Sequence, residues 1–201
     1  MDEPNQPYKG GRLQRAAGAT TVHVGSFRQV IVRHGITMGL IASALLLLPS
    51  AAIQIQQTTA NAFENPLRYL LAAMLLTLFF LYYQRRKGSK FNGRNMLWLG
   101  YLLYISVVEE LAFRLLLPQA FSAGMMLPAA VILSNAIFAG IHYVTLRWRW
   151  QNCLFAFVGG LGFAHLLASH GNLTLVILAH WFFTFLNTPT PPGGYRDRSN
   201  H

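Results

Sequence analysis

The sequence predicts an all-α fold: a polytopic membrane helix bundle of about six transmembrane helices, with both termini in the cytoplasm. Two observations support this prediction, the low fraction of charged residues and the long segments that contain none. The chain has 201 residues, of which 53% are hydrophobic and 11% are charged, whereas soluble domains have about 25% charged residues. No Asp, Glu, Lys or Arg occurs from Leu115 to Leu146, or from Gln151 to Tyr195. A soluble globular domain is therefore excluded.

Six apolar stretches are long enough to be membrane spans, which need about 20 residues each. The basic segment from Arg85 to Arg94 separates the second stretch from the third. Turns are predicted at Ser122–Gly124 and at His170–Asn172, and Pro128 lies near the start of the fourth stretch. The predicted spans, in chain order, are residues 35–55, 66–84, 96–121, 125–146, 152–169 and 172–188.

These spans form one domain, without an internal repeat. Residues 1–28 are polar and Gly-rich with no apolar segment typical of a signal peptide, and we interpret them as a mobile basic N-terminal arm. Residues 29–188 form the helix bundle, and residues 96–188 are its motif-bearing core. Residues 189–201 are rich in Pro and Gly and are predicted to be a disordered C-terminal tail.

The net charge of +10 is distributed in a way that favours a membrane partner over nucleic acid. All of the 16 basic residues except Arg68 and Arg114 lie in segments that six spans place on one side of the membrane. This is the positive-inside pattern, so both termini are predicted to be cytoplasmic and the protein to be a multi-pass protein of the cell inner (plasma) membrane. The expected partners are membrane lipids and a membrane-associated protein or peptide; nucleic acid is not expected.

Three charged residues interrupt the third span, in the stretch VVEELAFRLLLP. A charge at the bilayer centre costs about 2.5–3.5 kcal/mol, so Glu109, Glu110 and Arg114 would cost roughly 8–10 kcal/mol if they faced lipid. Residues four apart share a helix face, so Glu110 and Arg114 are expected to form an internal ion pair. Glu109 points about 100° away from Glu110 and is left without a partner. A carboxylate in that position is suited to act as a general base or acid.

Two later spans carry polar residues that could meet Glu109. In the fourth span, Phe138 and His142 lie one turn apart. In the sixth, His180, Thr184 and Asn187 lie on one face. A single histidine in a span is often only a helix–helix hydrogen-bond donor. Two histidines on different spans, together with a spare carboxylate on a third, favour a functional site.

In order and spacing these residues resemble the CPBP family of intramembrane endopeptidases, the CAAX proteases and bacteriocin-processing enzymes. The resemblance rests on Glu109–Glu110 with Arg114, then Phe138 with His142, then His180 followed by a polar residue four positions later. It covers about residues 100–190.

The resemblance implies a glutamate-type mechanism. In that mechanism Glu109, with help from His142, deprotonates a water molecule that attacks a peptide carbonyl. His180 and a following asparagine stabilise the oxyanion. Glu110 and Arg114 are then a positioning pair.

Thr184 is a departure from the family pattern, because the family usually has asparagine at that position. Its hydroxyl can donate one hydrogen bond from a shorter reach, and Asn187 is one turn farther on. Losing one oxyanion donor costs about 10²–10³ in rate. This departure puts the fourth site residue in question.

A zinc site is the alternative chemistry, because Glu109, His142 and His180 are a carboxylate and two imidazoles. The sequence has no HExxH motif, and no two histidines four residues apart on one helix. We therefore expect a metal-free mechanism with no cofactor.

Three classes of function follow. The first is an intramembrane endopeptidase, a hydrolase that processes the C-terminal sorting tail or the leader of a bacterial protein. The second is a catalytically impaired relative that serves as a membrane scaffold or immunity factor, an alternative that rests on Thr184. The third is a small transporter with a proton relay; an inverted repeat would favour it, and none is apparent in the sequence.

Overall fold

The computed structural model describes residues 24–89 and 92–192. In these residues the chain forms seven helices and no strand. The first, α1, covers residues 27–45 and contains a π-helical turn at Ile31–Gly35. The others are α2 (Ala51–Glu64), α3 (Pro66–Arg86), α4 (Gly93–Ser122), α5 (Leu127–Thr145), α6 (Trp150–His170) and α7 (Leu173–Asn187).

Polar residues set several helix boundaries. The side-chain oxygens of Asn92 and Asn172 each accept a hydrogen bond from the backbone N–H three residues later, and so cap the first turns of α4 and α7. Gly171 has φ 58°, a left-handed conformation that ends α6. The turn predicted at His170–Asn172 is therefore present.

The predicted all-helical membrane bundle is confirmed. Four helices, α3 to α6, are long and apolar enough to cross a membrane, and α7 is a shorter apolar helix of 15 residues. The predicted second to sixth spans coincide with α3 to α7 to within three residues at each end. The total of six spans and the cytoplasmic location of the termini stay predictions.

The first predicted span is wrong as a single helix. Residues 35–55 contain the end of α1 at Leu45, a turn, and the beginning of α2 at Ala51. Pro49 lies in that turn. Proline has no N–H to donate and its ring clashes with the carbonyl four residues earlier, so a continuous helix is disfavoured there.

Helix α4 is the centre of the bundle. In the most apolar 18-residue segment of α4, 61% of the residues are buried inside the bundle. The corresponding share in α3 is 6%, so most of the surface of α3 is available to contact lipid. Helices α1 and α7 pack along α4, and α6 packs along α5. The 30 residues of α4 span about 45 Å, which exceeds the roughly 30 Å of a hydrocarbon core. The helix is therefore inclined, or extends beyond the core.

The segment after α7 is held against the ends of α3 and α4. Gln84 and Arg94 donate to backbone carbonyls at Pro189 and Pro192, each at 2.6 Å, and Trp98 donates to the carbonyl of the residue after α7 at 2.7 Å. These contacts involve residues 189–192 of the predicted tail. The remainder of that tail, and residues 1–23 of the predicted N-terminal arm, lie outside the described residues.

Candidate active site

Helices α1, α4, α5 and α7 bring six charged or titratable side chains together in the interior. Each is at most 7% exposed, although the surroundings are apolar. Five of the six were singled out in the sequence. The six residues are His34, Glu109, Glu110, Arg114, His142 and His180.

Both π-helical turns of the described structure lie at this cluster. The turn Ile31–Gly35 contains His34, and the turn Leu111–Leu116 begins directly after Glu110 and contains Arg114. A π turn inserts one residue into a helix and shifts the side chains that follow, and such turns are frequent at functional sites.

Small residues let α1 approach α4 closely. The Tyr104 hydroxyl donates to the carbonyl of Gly35 at 3.0 Å. A methyl group added to Gly39 would overlap that same hydroxyl, and one added to Gly35 would lie 3.0 Å from the ring of Tyr101. Close backbone approach at paired glycines is a common packing mode in membranes. It places His34 within reach of Glu109.

Three histidines surround the Glu109 carboxylate. Its Oε1 lies 2.8 Å from Nε2 of His34 and 3.7 Å from Nε2 of His142, and its Oε2 lies 3.5 Å from Nε2 of His180. The expectation that Glu109 lacks a partner is therefore wrong. Its partner, His34, is 75 residues away in sequence, on a helix that carries no other residue of the predicted motifs.

In two of these histidines, the contacts of Nδ1 show that this nitrogen carries a hydrogen. Nδ1 of His142 lies 2.9 Å from the carbonyl of Phe138, which only accepts, so this nitrogen carries a hydrogen. Nδ1 of His180 lies 2.6 Å from Oε1 of Glu110 and donates to it. In both residues the Nε2 atom is directed towards Glu109.

The expected pair of Glu110 and Arg114 is present. Nε of Arg114 lies 3.5 Å from Oε2 of Glu110. The guanidinium carbon is 4.0 Å from the ring centroid of Phe138, a cation–π contact. Phe138 thus supports both Arg114 through its ring and His142 through its carbonyl.

Aromatic rings form the walls of the cluster. Phe163 stacks on His180 with ring centroids 4.9 Å apart, and the ring centroids of Trp148 and His142 are 4.7 Å apart. Rings exclude water and keep the local dielectric constant low, which strengthens the electrostatic interactions of the carboxylates.

Thr184 and Asn187, the two candidates for the second oxyanion donor, differ in burial. Thr184 is half-buried, one turn beyond His180, while Asn187 is exposed at the end of α7. The structure does not bring Asn187 into the buried cluster.

The cluster also offers donors for a metal ion. One atom each of His34, Glu109 and His142 lie within 4.8 Å of one another. This group differs from the predicted set, because it contains His34 in place of His180. Imidazole and carboxylate donors are those that zinc accepts.

Two site residues were missed in the sequence: His34 and Thr145, whose hydroxyl lies 2.8 Å from Nδ1 of His34. His34 directly follows Arg33 and lies just before the first predicted span, residues 35–55. A signal was available in Gly35 and Gly39, whose four-residue spacing indicates a face of α1 that packs closely on another helix.

Residues 90–186 match the model of a family described as type II CAAX prenyl endopeptidase, Rce1-like. The match contains Glu109, His142 and His180, and it leaves out α1 with His34. No curated protein and no solved structure matches the chain significantly.

Proposed function

We propose that this chain is a member of the Rce1-like family of type II CAAX prenyl endopeptidases, whose model matches residues 90–186, and that it hydrolyses a peptide bond in a membrane-associated protein. Glu109 is the base that activates a water molecule, and His142 helps to hold that water. A protease of this family works in lipid on a peptide substrate, in agreement with the four helices that are long and apolar enough to cross a membrane.

The proposal rests on the relative position of Glu109 and His142. Because Nδ1 of His142 carries the hydrogen, its Nε2 presents a lone pair, 3.7 Å from Oε1 of Glu109. A water oxygen can lie about 2.8 Å from both atoms and donate one hydrogen to each. Its own lone pair is then free to attack a carbonyl carbon.

The hydrolysis needs no group beyond the water and the side chains. Glu109 takes one proton from the water, and the hydroxide oxygen bonds to the carbonyl carbon to form a tetrahedral anion. When the C–N bond breaks, the proton held by Glu109 passes to the leaving nitrogen. The products are one carboxylic acid and one amine, and Glu109 returns to its starting state.

His180 stabilises the anion. A histidine with a carboxylate near each ring nitrogen can carry both protons, and His180 has Glu110 at Nδ1 and Glu109 near Nε2. Its Nε2–H then donates to the negative oxygen, the kind of preorganised donor that contributes about 10²–10³ in rate. Arg114 balances the charge of Glu110.

We propose that no metal takes part. The 2.8 Å contact between Nε2 of His34 and Oε1 of Glu109 is a direct hydrogen bond that occupies both atoms, whereas a zinc ion would need each of them as a ligand at about 2.0–2.2 Å. Dialysis against a chelator is expected to leave the cleavage rate unchanged.

For the substrate, we propose the C-terminal sorting tail or the leader of a bacterial protein, in the plasma membrane. The test uses purified protein in liposomes and membrane-anchored reporters that end in sorting tails, leader peptides or prenylated CAAX tails. Mass spectrometry identifies the products. Cleavage of the sorting-tail or leader reporters supports the proposed substrate; cleavage of the CAAX reporters alone contradicts it.

His142→Leu tests the observation on which the proposal rests. Leucine keeps a similar volume and removes the lone pair that holds the water, so kcat is expected to fall by about 10²-fold or more. The control is His165→Leu, the same change at an exposed histidine of α6. Equal rates for the two variants would rule out a role of His142 in catalysis.

A catalytically impaired scaffold is the second candidate, and Thr184 is the residue that favours it. The Thr184→Asn variant restores the family pattern at this half-buried position. If Thr184→Asn cleaves the reporters and the natural protein cleaves none, the scaffold function is supported. If both cleave, the natural protein is an endopeptidase.

A further inference from the structure

His34 is the one histidine at Glu109 that makes a hydrogen bond of normal length. Its Nε2 lies 2.8 Å from Glu109, whereas Nε2 of His142 and of His180 lie 3.7 and 3.5 Å away. N–H···O hydrogen bonds have donor–acceptor distances of about 2.7–3.2 Å. The contact that holds the Glu109 carboxylate therefore comes from α1, outside the segment matched by the family.

The neighbours of His34 determine where its hydrogens lie. The carbonyl of Ile141 only accepts, so the Thr145 hydroxyl, 2.7 Å away, donates to it. The Thr145 oxygen must then accept from Nδ1 of His34 at 2.8 Å. Nδ1 thus carries a hydrogen.

A second hydrogen must lie between His34 and Glu109. Two lone pairs facing each other at 2.8 Å would repel, so one proton is shared between Nε2 and Oε1. The distance falls in the range of about 2.7–2.9 Å typical of charge-assisted hydrogen bonds between a cationic nitrogen and a carboxylate. His34 is 3% exposed and Glu109 is 2% exposed, so this contact is shielded from bulk water.

We propose that His34 is the positioning residue of the base. With Nδ1–H held by Thr145, Nε2 of His34 fixes the position of Oε1 of Glu109 through the hydrogen that the two atoms share. The second lone pair of Oε1 is then directed to the water shared with His142. This inference rests on the proposed function and deepens it: α1 belongs to the catalytic apparatus.

The orientation of His34 depends on two helices at once. Its ring is bonded to α5 through Thr145 and to α4 through Glu109. A buried carboxylate whose partner is removed is strongly disfavoured as an anion. Loss of His34 is therefore expected to leave Glu109 protonated, and a protonated carboxyl cannot take a proton from the water.

The experiment compares His34→Ala with His34→Gln in the liposome cleavage assay. The amide nitrogen of glutamine can occupy the place of Nε2 and donate to Glu109, whereas alanine offers no donor. We expect kcat of the alanine variant to fall by about 10²-fold or more, with KM unchanged. The glutamine variant is expected to retain at least about tenfold more kcat than the alanine variant. Equal losses in the two variants, or an effect on KM alone, would overturn the proposal.

Thr145 gives a second, milder pair of variants. Thr145→Ser keeps the acceptor for Nδ1 of His34, and Thr145→Val removes it with little change of shape. The serine variant is expected to keep the natural kcat, and the valine variant to lose about tenfold. A valine variant as active as the natural protein would contradict the proposed orientation of His34.

A measurement without turnover separates this proposal from the proposed function. If the natural protein cleaves no reporter, the proposed function fails, and His34 is then examined by ¹⁵N NMR of histidine-labelled protein. We expect hydrogens on both ring nitrogens of His34, and loss of the Nε2 hydrogen in Glu109→Leu. A single hydrogen on Nδ1 in both proteins would overturn the inference. Zinc that co-purifies in equimolar amount with the natural protein and is lost in His34→Gln would overturn it as well, since Nε2 would then be a ligand.

Discussion

At the scale of single residues, the ion pair of Glu110 and Arg114 within the site has imperfect geometry. Glu110 is fully buried and Arg114 is 5% exposed, yet their closest contact is 3.5 Å. Among the described residues, Oε2 of Glu110 and Nε and Nη1 of Arg114 have no hydrogen-bond partner. Such a pair adds little to stability compared with apolar residues, but removing one member leaves a charge without compensation.

Arg114→Met is therefore expected to destabilise the protein by about 3–5 kcal/mol, because the buried Glu110 loses the charge of Arg114 and keeps only its contact with His180. Adding Glu110→Gln to Arg114→Met is expected to recover part of that loss. Unfolding by denaturant in detergent micelles measures both variants. A double variant less stable than Arg114→Met alone would contradict a charge imbalance as the cause.

At this scale the sequence predicted most of the site. Glu109, His142 and His180 could be grouped because each is a polar residue in an apolar span, a placement that is costly without a function. The spacing of Gly35 and Gly39 indicates a closely packed face of α1, but it does not identify the partners of His34, which lie 75 and 111 positions away.

At the scale of helices, the contact of α5 and α6 positions Arg114. Gly160 of α6 is buried, and a methyl group there would overlap Oδ1 of Asn135 and lie 3.0 Å from Nη2 of Arg114. The absence of a side chain at Gly160 lets α6 approach the polar cluster. The neighbouring Gly159 is exposed and has open space around its Cα.

Gly160→Ala is expected to destabilise the protein by about 1–3 kcal/mol, because Asn135 and Arg114 must both shift to admit the methyl group. The matched control, Gly159→Ala, is expected to be neutral or slightly stabilising, since alanine favours the helix. Denaturant unfolding in micelles compares the two. If Gly160→Ala were as stable as Gly159→Ala, the close contact would have no role in positioning Arg114.

The helices themselves were predictable where a long, mainly apolar stretch is bounded by turn residues, as in α3 to α7. The first span was not, because residues 35–55 are apolar on both sides of Pro49 and the composition conceals the break. The π turns at Ile31–Gly35 and Leu111–Leu116 were not predictable either. They depend on the packing of α1, α4 and α5 around the buried carboxylates, and no local residue pattern determines them.

At the scale of the whole molecule, one central helix carries both glutamates, and three other helices supply the histidines. The family match covers α4 to α7 almost completely, while α1 contributes His34 from outside it. The six polar side chains of the site are therefore enclosed by the bundle, whose apolar outer surface separates them from lipid and bulk water. This arrangement accounts for the charged residues in the third predicted span: they face one another and not the lipid.

The central claim is that the buried Glu109 carboxylate is the catalytic base, and Glu109→Gln tests it most directly. Glutamine has nearly the same shape but cannot take the proton from water. The measurement is the rate of reporter cleavage in liposomes, with Glu64→Gln, at an exposed glutamate, as the matched control. We predict a fall of about 10²–10⁴ for Glu109→Gln and no change for Glu64→Gln. Cleavage by Glu109→Gln at the rate of the natural protein would contradict the account.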